Sequence, residues 1–213
     1  MSVPPGRRRI FLLSPAKVTG ERAQLVMRDA AAFDLAVRLR THGAPLGEVF
    51  SFMSGLYFRG KHAYARAFAD PPPGVPGSLV ITAGFGLLPS DTIVTRNHLR
   101  SFAGFSVDIN NAGYVSAVRR DATLIRESIG NDCAVILLGS VATLKYLEPL
   151  KDVFGEQLFF PRDFIGRGDL SRGGLLLRAV RAATELVYAP VGPSTHHGAR
   201  PEKLSRVPPG KQK

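Results

Sequence analysis

The sequence has little cysteine and no long hydrophobic run. It contains one cysteine, Cys133, and no tryptophan among its 213 residues. One cysteine cannot form an internal disulfide bond, so we expect a reducing compartment and a cytoplasmic location. Because no stretch of 18 apolar residues is present, we predict no transmembrane helix and no membrane partner. The basic N-terminal segment carries an apolar run that is too short for a secretory signal.

The sequence also lacks the motifs of the common metal and cofactor sites. No phosphate-binding loop ending in Gly-Lys-Ser/Thr occurs, and residues 166–171 match a dinucleotide-binding fingerprint only in part. The five histidines do not have the spacing of zinc ligands. We therefore predict neither a bound metal nor a cofactor, which leaves a site built from the protein's own side chains.

Acidic residues are scarce relative to basic ones. The chain has 17 Asp and Glu against 28 Lys and Arg, for a formal net charge of +11. Three arginines lie at 7–9, and residues 192–213 hold five basic residues and one glutamate. We predict a disordered basic lead over 1–8, a domain over 9–190 and a flexible basic tail over 191–213. Basic ends suit a nucleic acid or another polyanion, and they suit a solubilising role equally well.

Continuous apolar runs alternate with helical patterns. The runs at 10–13, 78–81 and 134–138 are unbroken, as in strands buried on both faces of a parallel sheet. Further strands are predicted over 49–53 and 157–160. Helices are predicted over 20–39, 61–69, 111–129, 141–153 and 171–188. This order predicts an α/β fold, a single three-layer domain with a mostly parallel central sheet flanked by helices.

The three apolar runs end in small or hydroxyl-bearing residues. Ser14 follows the first run, Thr82 the second, and Gly139 with Ser140 the third. If these strands are parallel neighbours, the four residues line one edge of the sheet, where open α/β sheets bind ligands. Lys17 adds an ammonium group that can hold a phosphate, a carboxylate or a reacting carbonyl. The alternative is that small residues simply end the strands and that the lysine is solvated.

The segment after the second run has two glycines around a phenylalanine. Gly84 and Gly86 indicate unusual backbone geometry, which costs stability unless something uses it, so we predict that they make room for a ligand. A cation, an amide and a titratable imidazole follow in Arg96, Asn97 and His98. The alternative for His98 is an ordinary surface loop residue.

A basic segment at 56–62 is the other candidate. Tyr57, Arg59 and Lys61 are predicted to precede a helix whose N-terminus adds its own attraction for an anion. A solvated basic turn is the alternative.

These segments together resemble the bacterial YaaA-like (peroxide-stress) proteins and their smaller relatives. Residues 14–17 read Ser-Pro-Ala-Lys after a strand, as in that family, and residues 82–91 are similar to a shortened form of its Ser-Gly-Leu-Tyr-Gly-type segment. Tyr57 before 63–65, and Gly139 before 146–150, are similar to segments of the smaller relatives. The turn at 14–17 also resembles one in the amino-acid-transferring domain of archaeosine synthases. The resemblance implies a stress-response protein that binds DNA or a nucleotide, although no segment matches the helix-hairpin-helix-like portion attributed to YaaA.

The first hypothesis is therefore binding of a nucleotide or nucleic acid at the carboxyl edge of the sheet. Its phosphate contacts would come from Lys17, Arg59, Lys61 and Arg96. The second hypothesis is an enzyme that acts on a nucleoside or modified base, of transferase or hydrolase type.

In the enzyme, Ser14 or Thr82 orients the substrate, Lys17 is a nucleophile or charge stabiliser, and Asp91 or His98 moves a proton. The third hypothesis is a non-catalytic interaction module. The sequence identifies neither the ligand nor the oligomeric state.

Overall fold

A computed structural model describes residues 6–192, 198–202 and 204. Its strands are β1 (Arg8–Leu13), β2 (Ala44–Pro45), β3 (Ser78–Thr82), β4 (Gly86–Pro89), β5 (Ile93–Val94), β6 (Cys133–Leu138), β7 (Leu158–Pro161) and β8 (Tyr188–Pro190). Its α-helices are α1 (Glu21–Met27), α2 (Asp34–Thr41), α3 (Leu46–Ser54), α4 (Leu56–Phe68), α5 (Arg96–Ala103), α6 (Ala112–Ile129), α7 (Leu144–Phe154) and α8 (Asp169–Arg181). Single 3₁₀ turns at Gly155–Gln157 and Arg162–Phe164 flank β7.

The central sheet has six strands in the order β4-β3-β1-β6-β7-β8. The inner strands β3, β1, β6 and β7 run parallel, with Phe11 of β1 opposite Ser78 on one side and Ile136 on the other. The edge strands β4 and β8 are antiparallel to their neighbours. A separate antiparallel pair joins β2 to β5. The predicted α/β domain with a mostly parallel sheet is confirmed.

Both faces of the sheet are covered, which explains why its strands are apolar without alternation. Phe11 and Leu13 of β1 face one core, which α1 to α5 and α8 complete. Ile10 and Leu12 face a second core, which α6 and α7 complete. The two cores and the sheet between them give the three layers.

The sheet has a topological switch point between β1 and β6. From β1 the chain continues into α1 to α4 on one face, whereas from β6 it continues into α7 on the other face. The two strands are hydrogen-bonded neighbours. Because the connections leave in opposite directions, a crevice forms outside the carboxyl ends of such strands, and ligands of α/β proteins bind there.

Several of the predicted elements differ from the structure. The helix predicted over 61–69 begins earlier, at Leu56, and the helix predicted over 171–188 is α8, which ends at Arg181, so Tyr188 lies in β8 instead. Residues 49–53 are not a strand but part of α3, where Leu46, Val49, Phe50 and Met53 form one buried helical face. A short apolar run is ambiguous between the two periods, and here tertiary packing selected the helix. The helix predicted over 20–39 is divided into α1 and α2, since Arg28 leaves the helical conformation.

The ends of the domain contact its body. Arg8 is the first residue of β1, and Val191 donates from its backbone N to the carbonyl of Leu158. Further on, Arg167 Nη1 donates to the carbonyl of Glu202 at 3.3 Å. Most of the tail, His196 and His197 included, lies outside the described residues. Within the described ranges, the helices are too short or too polar to cross a membrane.

Candidate functional site

The residue that ends β1 contacts a buried lysine from α4. Lys61 Nζ donates to the backbone carbonyl of Ser14 at 2.5 Å and to Ser14 Oγ at 2.7 Å. Ser14 Oγ in turn donates to the carbonyl of Leu138, at the end of β6, over 3.3 Å. Lys61 is 1% exposed and Ser14 4%. The pair is therefore buried at the carboxyl edge of the sheet, at the switch point.

The amphipathic face of α4 carries Lys61 into the interior. Tyr57, Phe58, Tyr64 and Ala65 are the apolar members of this face, and Lys61 occupies the position between them. The start of α4 lies at the carboxyl edge of the sheet, because its last residue, Phe68, accepts a bond from Arg9 at the opposite edge. The segment that was predicted to precede a helix at 61–69 is thus part of that helix, and the alternative of a solvated turn does not hold for Lys61, which is buried.

Burial of Lys61 favours the neutral amine. Its Nζ lies 4.3 Å from the centre of the Tyr57 ring and 4.9 Å from that of Phe58, and these ring faces attract the ammonium and so oppose the effect of burial. Burial lowers the pKa of Lys61 to about 7, the Arg172 charge lowers it further, and the Asp169 charge opposes both. In the part of the chain that the structure describes, no carboxylate forms an ion pair with Lys61. A desolvated ammonium without a counter-charge loses its proton readily.

Two tyrosines approach the same crevice from opposite faces of the sheet. Tyr57, on α4, is 8% exposed, and its hydroxyl has no hydrogen-bond partner among the described residues. Tyr146, on α7, lies across the sheet, where burial raises its pKa and hydrogen bonding with Ser14 partly offsets that rise. Burial also raises the pKa of Tyr57. Both phenols are therefore neutral hydrogen-bond donors at physiological pH.

Helix α8 supplies the remaining charges. Arg172 is 7% exposed and donates from Nε and Nη2 to the carbonyl of Phe164, at 3.2 and 3.0 Å. Its Nη1 lies 3.6 Å from the exposed carboxylate of Asp169. Gly60 and Gly173 permit this approach, because a Cβ on Gly60 would lie 2.8 Å from the carbonyl oxygen of Gly173.

A hollow of about 180 Å³ is lined in part by the residues that directly follow Ser14 in the chain. We call it the sheet-edge hollow; it is lined by residues 15–19 after β1, by Ala83 after β3, and by Phe50, Phe102 and Phe105 among others. Lys17 is exposed at its rim, and the Phe105 side chain is 50% exposed. The hollow therefore combines aromatic walls with one accessible cation.

The residues after β3 are committed to the fold rather than to a ligand. Thr82 Oγ1 donates to the carbonyl of Gly86 within the β3–β4 hairpin, at 3.0 Å. A Cβ on Gly84 would lie 2.7 Å from the Phe105 ring. Gly86 has a φ of +68°, and a Cβ there would collide with the Asp121 carboxylate on α6. The prediction that these glycines leave room for a ligand is wrong, because an aromatic ring and a helix occupy that room.

The segment 91–98 serves α5 and the neighbouring loops. His98 Nδ1 accepts from the backbone N of Thr95 at 3.0 Å, and the Thr95 side chain caps the helix in return. Arg96 forms an ion pair with Asp29 at 2.7 Å and donates to the Met27 carbonyl. His98 is thus a capping residue. Two more candidates in this segment are exposed: Asn97, which accepts from Arg100, and Asp91.

The remaining predicted residues lie at or near the crevice. Strands β3, β1 and β6 are parallel neighbours, so Ser14, Thr82 and Ser140 do follow adjacent strand ends as predicted. Gly139 lies against Ser14, since a Cβ there would be 3.2 Å from the Cβ of Ser14. Ser140 Oγ accepts from the backbone N of Ala142. Arg59 is exposed on α4.

The sequence interpretation missed Tyr146, Asp169 and Arg172, and it mistook the environment of Lys61. One signal was available: Lys61 stands at a position of α4 that the helical period assigns to the apolar stripe. The other three residues gave no local signal, because only the packing of α7 and α8 brings them to Ser14.

The comparisons with known proteins add no identification. No protein-family model matches the chain, and neither the curated proteins nor the solved structures that were searched contain a match. The resemblance to the YaaA-like proteins stays an expectation. Among the described residues, no group of three or more His, Cys, Asp or Glu is placed to hold a metal ion.

Proposed function

We propose that the protein binds a nucleotide at the carboxyl edge of its sheet, with the base in the sheet-edge hollow and the phosphate at Lys17. The observation that carries this proposal is the combination of aromatic walls and an exposed lysine beside a topological switch point. Aromatic side chains stack on nucleobases, and an ammonium group forms charge-assisted bonds with phosphate. The net charge of +11 adds a long-range attraction for anions.

The size of the hollow limits what it can hold. Its volume of about 180 Å³ is below the roughly 300–1,000 Å³ of pockets that enclose drug-sized ligands. One ring system fits, and the sugar and phosphate would lie outside it along residues 15–19. Lys17 is in that segment, which is why we assign the phosphate to it.

The test is calorimetric titration with nucleoside monophosphates and the matching nucleosides. Lys17→Met should weaken monophosphate binding about tenfold or more, from loss of a charged hydrogen bond, and leave nucleoside binding unchanged. Phe105→Ala should weaken both ligands, since stacking contributes about 1–3 kcal/mol per base.

Arg66→Met is the matched control, because Arg66 is exposed near the far end of α4. Equal monophosphate affinity in Lys17→Met and the unmodified protein contradicts the assignment. So does the absence of binding by every nucleotide at millimolar concentration.

A second candidate, an enzyme acting on the same ligand, is favoured by one observation. Lys61 Nζ lies 2.7 Å from the Ser14 hydroxyl, and the pair is next to residues that line the hollow. A pure binding site needs no neutral amine at that place. Turnover of a bound ligand, followed by chromatography, distinguishes this candidate from simple binding.

A further inference from the structure

Ser14 Oγ and Lys61 Nζ lie within hydrogen-bond distance, and when the amine is neutral the Ser14 hydroxyl can turn from the Leu138 carbonyl and donate to that amine. We propose that Ser14 attacks an acyl group on the bound ligand and that Lys61 accepts the serine proton, which makes the protein an acyl hydrolase or transferase. That the acyl group is carried by a nucleotide rests on the proposed function, whereas the pairing of Ser14 with Lys61 does not. The pairing stands on the 2.7 Å separation of Nζ and Oγ in a buried crevice.

Lysine can act as a base only when it is neutral. A serine hydroxyl is a weak nucleophile that an adjacent base activates, and serine–lysine pairs fulfil this role in unrelated folds. The groups that face Lys61 are Tyr57 on its own helix, Ser14 after β1, and Arg172 and Asp169 on α8. Asp169 and the faces of the Tyr57 and Phe58 rings favour the charged amine, but the Asp169 carboxylate is largely exposed to solvent. Burial therefore prevails, and the amine is available near neutral pH.

The position of Ser14 connects the pair to the ligand. Ser14 is followed directly by Pro15 and Ala16, which line the sheet-edge hollow. In this proposal the acyl group extends from the hollow past Ala16 and Pro15 to Ser14, which is itself buried. Tyr57, whose buried hydroxyl has Arg172 as its neighbouring polar group, is a donor available to the developing oxyanion.

The reaction balances with water as the only co-reactant. Ser14 Oγ forms a bond to the acyl carbon while its proton moves to Lys61 Nζ. The bond between the acyl carbon and the leaving oxygen then breaks, and Lys61 returns the proton to that oxygen. Water, deprotonated by Lys61, attacks the acyl-serine and regenerates Ser14, while a ligand hydroxyl in place of water gives transfer.

The chemistry of the pair favours acyl over phosphoryl substrates. The groups bonded to Ser14 Oγ are the Lys61 amine, the Leu138 carbonyl and the Tyr146 hydroxyl, and of these only the amine can carry a positive charge, which it has half lost at pH 7. A single oxyanion is stabilised by neutral donors, whereas a transferring phosphoryl group needs cationic clamps. We therefore assign the reacting bond to an ester or another activated acyl derivative.

The experiment uses p-nitrophenyl acetate with the full-length protein. We expect an initial burst of p-nitrophenol, acetylation of Ser14 in the peptide mass map, and a rate that rises with pH with a midpoint near 7. Ser14→Ala should abolish the burst. Lys61→Met should slow acetylation at least 100-fold, in the range typical of removing a general base. Ser116→Ala, which removes an exposed hydroxyl on α6, should leave both burst and rate unchanged.

The outcomes separate this inference from the proposed function. Acetylation that persists in Ser14→Ala, or an unmodified protein with no acetylation between pH 6 and 9, overturns the catalytic pair. If the catalytic pair is overturned in this way but Ser14→Ala still binds nucleotides, the proposed function remains supported. If Lys61→Met does not fold, the comparison with Ser14→Ala and the pH profile of the unmodified protein still test whether Ser14 and Lys61 form a catalytic pair.

Discussion

Burial of Lys61 makes the stability of the protein depend on pH in a defined direction. In the folded protein the pKa of Lys61 falls from 10.5 to about 7, chiefly through desolvation. Between these values the unfolded chain holds a proton that the folded chain has released. The free energy of unfolding must therefore rise with pH, by up to about 1.4 kcal/mol per pH unit from this one group.

The window from pH 7 to 9 isolates this effect. Folded Lys61 is half protonated at the lower limit and neutral at the upper one, so the expected gain is about 2 kcal/mol. The lowered pKa of His62 acts below this window. Cys133, whose pKa burial raises from 9.0 to about 11, begins to act at the upper limit of the window and does so equally in both proteins, and the raised pKa values of the buried tyrosines act above it. Those groups destabilise the fold as pH rises beyond 9, because the folded chain then retains protons that the unfolded chain has lost.

Urea unfolding of the unmodified protein and Lys61→Met at pH 7, 8 and 9 measures the gain. We expect the difference in free energy of unfolding between the two proteins to change by about 2 kcal/mol across the window, with the unmodified protein gaining stability. Lys17→Met, which removes an exposed lysine, controls for the loss of a lysine as such. Parallel pH profiles, within about 0.5 kcal/mol, would refute the argument that burial neutralises Lys61 and would also remove the base from the proposed pair.

Two further predictions concern residues that the structure assigns to the fold. Gly86→Ala should lower the free energy of unfolding by at least about 2 kcal/mol, because Gly86 has φ +68° and its Cβ would meet the Asp121 carboxylate; an unchanged urea midpoint would contradict this. His98→Ala should cost about 1 kcal/mol through loss of a helix cap. It should also leave nucleotide affinity unchanged in the titration, and a loss of binding would restore His98 to the site.

Much of the fold was predictable because its signals are local. A continuous apolar strand such as β6 indicates a sheet covered on both faces, and α6 begins at a side-chain cap supplied by Asn111, a residue type typical of helix starts. The prediction failed at α3, because its short apolar run fits the spacing of a helix as well as that of a strand. The edge strand β8 was not predicted, since three residues are too few to show the alternation of apolar and polar residues that indicates a strand.

The candidate site was predictable only in outline. Ser14 and Lys17 directly follow β1, so the sequence alone placed them at the carboxyl edge of the sheet. No local pattern indicated that the Phe105 ring would occupy the space beside Gly84, because the loop after α5 brings these two distant residues together. The sequence alone does not distinguish a glycine that makes room for a ligand from one that makes room for an aromatic ring of the same protein.

The order of apolar and polar residues was sufficient to give the layers, the parallel strands and the edge at which they end, because each follows from burial of one element at a time. The chemistry of the crevice followed from the three-dimensional fold. Lys61 reaches Ser14 across 47 positions of the chain, and Tyr146 and Arg172 come from helices on opposite faces of the sheet. Desolvation depends on everything that surrounds a group, so the neutral amine is a property of the packed protein and not of its sequence neighbours.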